Sequence, residues 1–153
     1  MTESRQPLIL LVDDNPSQQK VMGILADKYG FDAVVVSSGQ EALDALAACP
    51  SCFDIVLMDW QLPDMTGGEC TQRIRAFEKI VNLRTPIVAV TAHAMVGDKQ
   101  KCLDSGMDDY LSKPFTADDF RRLLLRWTYD PARPNLRLLP SREIGPGTSA
   151  ANG

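Results

Sequence analysis

Short apolar runs alternate along this chain with longer stretches in which apolar residues recur every three or four positions. The first kind suits buried strands and the second amphipathic helices, so the alternation predicts βα units on a parallel sheet. Residues 8–12, Leu-Ile-Leu-Leu-Val, read as the first strand. Asn15-Pro-Ser-Gln18 opens a helix: Asn15 can cap, Pro16 suits the first helical position, and Gln18 completes a box. That helix runs to about Tyr29 and stops at Gly30. Residues 32–37 are the second strand, and Ser38-Gly-Gln-Glu41 caps a helix with Ala42, Leu43 and Leu46 on one side. Residues 54–59 are the third strand, which ends on an acid. After the turn Gln61-Leu-Pro-Asp-Met, the capping box Thr66-Gly-Gly-Glu69 leads a helix to about Glu78. Residues 86–90 form the fourth strand, ending at Thr91. A less regular helix from about Met95 to Asp104 is terminated by Gly106, and residues 109–111 make a short fifth strand. Thr116-Ala-Asp-Asp119 caps the last helix, whose apolar face carries Phe120, Leu123, Leu124 and Trp127.

These elements make one domain over residues 7–127. From Thr128 the chain turns to Pro, Gly, Ser, Arg and Ala without a period, so residues 128–153 read as a flexible tail or linker. That segment is too short for a second domain. No apolar run is long enough to span a bilayer, and the first one meets Asp13-Asp14 too soon for a signal peptide. A cytoplasmic location is expected, with no membrane contact by this domain. The net charge is −4, and no Lys/Arg cluster is dense enough to track a phosphate backbone, which argues against direct nucleic-acid binding. Cys49-Pro-Ser-Cys52 has redox or zinc spacing, but it ends a helix instead of opening one, and no second ligand pair accompanies it. The four cysteines are read as incidental.

Ligands of open α/β sheets bind beyond the carboxyl ends of the strands. The residues just past those ends are Asp13-Asp14, Asp59, Thr91 and Lys113. Any one of these acids, taken singly, reads best as a cap or a solvated loop residue. Acids at several strand ends, with a hydroxyl and an ammonium, read instead as a site. Clustered carboxylates repel one another, and a hard cation with oxygen ligands relieves the repulsion. A carboxylate can also act as a nucleophile toward phosphorus, while a metal, a cation and hydrogen-bond donors steady the transferring charge.

Four motifs at these positions resemble the receiver domains of bacterial two-component response regulators. Val12-Asp13-Asp14-Asn15-Pro16 is similar to the family's acidic motif, and Ile55-Val-Leu-Met-Asp59-Trp-Gln-Leu-Pro63 to its phosphorylation strand and turn. Thr91-Ala92 resembles its switch hydroxyl and the small residue after it. Tyr110-Leu-Ser-Lys113-Pro114-Phe115 resembles its switch aromatic, lysine and cis-proline turn. The resemblance implies a doubly wound, flavodoxin-like α/β fold with five parallel strands in the order 2-1-3-4-5 and five helices. It further implies that Asp59 accepts a phosphoryl group. Mg2+, with Mn2+ as a substitute, would be held by Asp14, Asp13, Asp59 and the Gln61 backbone carbonyl. Lys113 would pair with Asp59 and then with the phosphoryl oxygens. Thr91 would swing toward the phosphoryl group and let Tyr110 move inward. Pro114 would be cis, and Gln61 and His93 would tune the lifetime of the phosphorylated state. The turn departs from the family pattern, with Asp64-Met-Thr66-Gly67 where an Asp usually precedes the Gly.

Thr91-Ala-His-Ala-Met95 and the run from Cys102 to Phe115 are most similar to receivers of hybrid sensor histidine kinases. A stand-alone single-domain regulator stays open beside that reading. The implied donor is a histidine kinase or a histidine phosphotransfer protein, docking on the first helix around Val21 to Leu25 and on Pro114-Phe115. Homodimerisation on phosphorylation is a further option. On this reading the chain catalyses only its own phosphorylation and dephosphorylation, while a parent protein could be a histidine kinase. A haloacid-dehalogenase-type phosphohydrolase would need Asp-x-Asp after a strand, and a flavodoxin-like cofactor binder would need a Ser/Thr-rich loop after the first strand. The adjacent Asp13-Asp14 fits neither. A degenerate scaffold would lack an acid, the hydroxyl or the lysine, and all are present.

Overall fold

Continuous apolar runs form the centre of the sheet. β1 (Leu8–Val12), β3 (Ile55–Met58) and β4 (Ile87–Thr91) are buried along almost their whole length, as parallel strands covered on both faces require. β2 (Asp32–Val36) and β5 (Asp109–Ser112) lie at the edges and are less buried. All neighbours pair in parallel, in the order β2-β1-β3-β4-β5. This is the doubly wound order anticipated above. A computed structural model of the chain describes residues 6–92 and 97–128. His93 and the tail beyond Thr128 lie outside the described residues.

Successive side chains of a strand point to opposite faces, which divides the core in two. On one face Ile9, Leu11, Ile55, Leu57, Val88 and Val90 pack against α1 (Pro16–Lys28) and α5 (Ala117–Thr128), through Met22, Ala26, Phe120, Leu123 and Leu124. On the other, Leu10, Val12, Val56, Met58, Ile87 and Ala89 meet α2 (Gly39–Ala48), α3 (Gly67–Val81) and α4 (Asp98–Asp104). Among the described residues no helix is long and apolar enough to cross a membrane.

The helix starts follow their caps. Asn15 accepts from the Ser17 and Gln18 amides, but the box expected with Gln18 does not form, because the Asn15 amide donates to Asp13 instead. Ser38 accepts from the Glu41 amide, and Thr66 and Glu69 form a reciprocal box. The end of α3 differs from expectation. The helix continues to Val81, because Glu78 is buried in an ion pair with Arg75 and the left-handed turn comes only at Asn82, φ 57°. Of the expected helix over 95–104, the part from Asp98 onward lies within the described residues. The cysteines also depart from the incidental reading. Cys52 N–H donates to the Cys49 carbonyl in a tight turn after α2, and the two side chains are joined as a disulfide with a Cα–Cα distance of 5.4 Å. Cys70 and Cys102 are buried as free thiols.

The C-terminal end of α5 is tied to the start of β5. Asp109 accepts from Trp127 Nε1 at 2.7 Å and from Arg126 Nη1 at 2.9 Å. Burial pushes the Asp109 carboxyl up, but Trp127, the Tyr110 amide and Arg126 together hold it below the ordinary carboxylate range. A depressed folded-state value means that this stabilisation is present above the unfolded value, about 4, and is lost as pH falls through the lower folded value. Asp109→Asn is therefore expected to cost about 1 kcal/mol at pH 7. The deficit should shrink in urea melts as pH is lowered below about 4, and a deficit that stays equal at neutral and acidic pH would contradict the assignment.

Candidate functional site

The site is built where the winding reverses, between β1 and β3. Val12 pairs with Met58 in the β1–β3 register, so the next residues, Asp13 and Asp59, emerge side by side. The Asp59 amide donates to the Val12 carbonyl at 2.9 Å. Carboxylate oxygens of Asp13, Asp14 and Asp59 all lie within 4.8 Å of one another, with Asp13 buried, Asp59 half-buried and Asp14 exposed. The Asn15 amide holds Asp13 Oδ1 at 2.9 Å.

The opposite charge arrives from the far side of the sheet. Thr91 pairs with Ser112 in the β4–β5 register, and the Lys113 amide donates to the Thr91 carbonyl at 2.9 Å. Lys113 Nζ lies 3.0 Å from Asp13 Oδ2 and 3.9 Å from Asp59 Oδ2. The expected Lys113–Asp59 pair is thus the longer of two contacts, and the hydrogen bond goes to Asp13. Asp13, at 1% exposure, is the carboxylate most removed from water, so a direct charge partner matters most there. Burial pushes the Asp59 carboxyl above its ordinary range; Lys113 opposes this, Asp13 adds to it, and hydrogen bonds from the Trp60 and Gln61 amides lower it again.

Around this centre sit the remaining candidates. Gln61 lies in the exposed β3–α3 loop, where it bridges to Thr66. The loop closes tightly on Asp59: Gly67 N–H donates to the Trp60 carbonyl, and a Cβ at Gly67 would lie 2.3 Å from the Asp59 carbonyl oxygen. Thr91 is buried at the end of β4, and Ala92 follows it exposed. Tyr110 packs half-buried on the α3–α4 side of the sheet. Its hydroxyl is buried with no hydrogen-bond partner among the described residues, and burial, Asp98 and Cys102 push its pKa up. The Lys113–Pro114 peptide is cis.

Two features of this neighbourhood were not singled out from the sequence. The Trp60 ring lies over Gly68, where a Cβ would come within 2.6 Å of it, and Lys101 Nζ of α4 sits 5.9 Å from its centroid. Asp64 reaches from the loop to the first amides of α2. Nothing in the sequence marks which helix start an exposed loop acid will cap. The donor set of three carboxylates is all oxygen, which suits a hard divalent cation.

A family model described as the response regulator receiver domain matches residues 9–125. The chain belongs to that family. Sensor protein GacS of Pseudomonas syringae pv. syringae is 44% identical to this receiver domain over 126 residues, covering 82% of the chain and 14% of GacS. The histidine-protein kinase BarA of Escherichia coli (strain K12) is 42% identical over 123 residues, covering 78% and 12%. The receiver domain thus spans a small fraction of the length of the curated relatives it matches, a sensor protein and a signal transduction histidine-protein kinase. Among solved structures, the receiver domain of sensor histidine kinase PA1611 from Pseudomonas aeruginosa PAO1 is 40% identical, with a TM-score of 0.71 over 81% of this chain and 98% of that one. That structure has a magnesium ion coordinated in its active site cleft. The receiver domain of Ssk1, co-crystallised with the histidine phosphotransfer protein Ypd1 of Saccharomyces cerevisiae, is 30% identical with a TM-score of 0.74, covering 83% and 92%.

Proposed function

We propose that Asp59 of this receiver domain accepts a phosphoryl group from a phosphohistidine donor. The observation that carries the reading is the meeting of three carboxylates at the adjacent ends of β1 and β3, with one ammonium within 4 Å of two of them. Asp13, Asp14, Asp59 and the Gln61 backbone carbonyl would hold Mg2+, or Mn2+ in its place. Bound there, the cation offsets the carboxylate repulsion and the negative charge of the phosphoryl oxygens.

An Asp59 oxygen forms a bond to phosphorus as the P–N bond to the donor imidazole breaks. The imidazole nitrogen keeps the electron pair and takes a proton from solvent. Lys113, already 3.9 Å from Asp59, is placed to shift from the carboxylates to the phosphoryl oxygens. Positioning and charge stabilisation suffice for such a transfer. The new charge would draw Thr91, at the end of β4, toward the phosphoryl group, with the Ala92 backbone beside it. Tyr110 then reads out the change at the β4–β5 surface. Gln61 and His93 tune how long the acyl phosphate lasts.

The donor surface is α1 with the adjoining Pro114-Phe115 turn. Val21 and Ile24, 46% and 59% exposed, give α1 an adjacent pair of solvent-facing apolar side chains for a partner to cover. The Ypd1–Ssk1 complex supports a phosphotransfer protein as the partner. The receiver is a cytoplasmic segment of a hybrid sensor histidine kinase, and the residues after α5 serve as a linker. Incubation with acetyl phosphate and Mg2+ should add one phosphoryl group, mapped by mass spectrometry to the peptide containing Asp59. Equal labelling of Asp59→Asn would sink the assignment.

A further inference from the structure

The segment between β3 and α3 carries Gln61, whose carbonyl belongs to the proposed metal site, yet little regular structure supports it. The base of the segment is closed by the 2.6 Å bond from Gly67 N–H to the Trp60 carbonyl, with Leu62 and Met65 packed on the core. Nearer the tip there is the bridge of Gln61 to Thr66 and a 3.3 Å bond from the Leu62 amide to the Met65 carbonyl. Gln61, Pro63 and Asp64 are exposed. What ties the tip down comes from a different element. Asp64 Oδ1 accepts from the Gly39 amide and Oδ2 from the Gln40 amide, each at 2.9 Å, across 25 and 24 residues of chain. Those amides belong to the first turn of α2, where backbone donors have no partner within the helix. Ser38, the local cap, takes the Glu41 amide. Asp64 therefore completes a cap that Ser38 leaves unfinished. Met65 seals the same contact: a Cβ at Gly39 would meet its Cγ and Sδ at 2.5 Å, so glycine lets the loop lie against the helix.

We infer that Asp64 is a positioning residue for the metal site: its bidentate hold on α2 fixes the loop that presents the Gln61 carbonyl next to Asp59. The inference rests on the proposed Mg2+ site. Its plain competitor is that Asp64 merely caps α2, which would alter stability and leave cation binding alone. The loop is short, so movement at Asp64 reaches Gln61 three residues away. Gln61 also lies only two residues from Asp59, and Gly67 at the far end of the loop packs against the Asp59 carbonyl, so the same movement disturbs the acceptor. Thr66, the residue just before the glycine, caps α3, while Asp64 takes its partners on another helix.

The test is Mg2+ titration of the full chain, followed by tryptophan emission, because Trp60 adjoins Asp59; melting in EDTA is recorded in parallel. Wild type is compared with Asp64→Ala and Asp64→Asn, and with Asp59→Asn as the reference for a damaged site. Asp64→Ala is expected to weaken Mg2+ binding about fivefold, below the 10–100-fold range of buried outer ligand supports because Asp64 is exposed. Asp64→Asn removes the same charge but keeps a carbonyl acceptor for one amide, so about twofold weakening is expected. Unchanged Mg2+ affinity in Asp64→Ala, whatever its melting temperature, overturns the inference. Equal weakening by both variants also overturns it, since that is the mark of lost charge and not of lost anchoring. If Asp64→Ala fails to fold, Asp64→Glu decides: it keeps the charge but displaces the carboxylate by one methylene, so weakened binding supports the role and wild-type binding refutes it. A wild-type chain whose Mg2+ response matches that of Asp59→Asn would instead refute the metal site, and the positioning role with it.

Discussion

Asp59→Asn is expected to melt at a higher temperature than wild type in EDTA at neutral pH, while taking up no phosphoryl label. Three carboxylates share this strand-end crevice with one ammonium that favours Asp13, and Asp59 is the member whose burial raises its pKa. An amide at position 59 keeps the shape and removes one of the mutually repelling charges. A gain of about 1 kcal/mol is expected, or about 4 °C for a domain of this size. The sign can be checked with pH. A carboxyl with a raised folded-state pKa contributes stability that is present below its unfolded value and lost as pH rises through its folded value. Acidification from above the folded value toward pH 3.8 should therefore stabilise wild type relative to Asp59→Asn and close the gap. Mg2+ should close it too, because the cation stabilises only the intact cluster. A lower melting temperature for Asp59→Asn in EDTA would mean that Lys113 outweighs the repulsion at this site.

Arg75→Met is expected to cause the largest loss of stability, about 3 kcal/mol or roughly 10 °C. Arg75 lies on α3 with its guanidinium mostly buried. It donates to Glu78 at 2.7 Å, Asp108 at 2.8 Å, the Thr85 carbonyl at 2.8 Å and the Gly106 carbonyl at 3.0 Å. One side chain thus joins α3 to the entry of β4 and to the α4–β5 turn. Its removal strands the nearly buried Glu78 with a single donor, the Thr85 amide at 2.8 Å. Asp108 fares better, keeping Arg84 and the Ile87 amide. An uncompensated buried charge is the costly outcome, so adding Glu78→Gln should recover about 1 kcal/mol of the loss. Denaturant melts of the single and double variants check this. A single-variant loss under about 0.5 kcal/mol would place the network among solvent-screened surface pairs.

The fold was legible because its signals are local and repeat. Apolar runs at β1, β3 and β4, and caps at Asn15, Ser38, Thr66 and Thr116, each state their element within a few residues. The order of the sheet and the family follow from those motifs taken together. Limits of the local view show at α3, which outruns its expected end because Glu78 finds Arg75, and at Cys49 and Cys52, which a tight turn brings together.

By itself the sequence determined which residues stand just past the strand ends, since strand length and residue type are set by neighbours along the chain. Asp13, Asp14, Asp59, Thr91 and Lys113 are where the pattern of strands put them. Only the tertiary structure decided how they share charge. Lys113 lies a hundred residues from Asp13, and its preference for that carboxylate over Asp59 depends on which one the packing hides from water. The same holds for Asp64, an exposed loop acid in the sequence, whose partners are amides at the start of another helix. Hydrogen-bond donors left over at a helix end have no sequence signature of the acid that will find them. Packing of β3 beside β1, with α2 and α3 against one face, is what brings the two together.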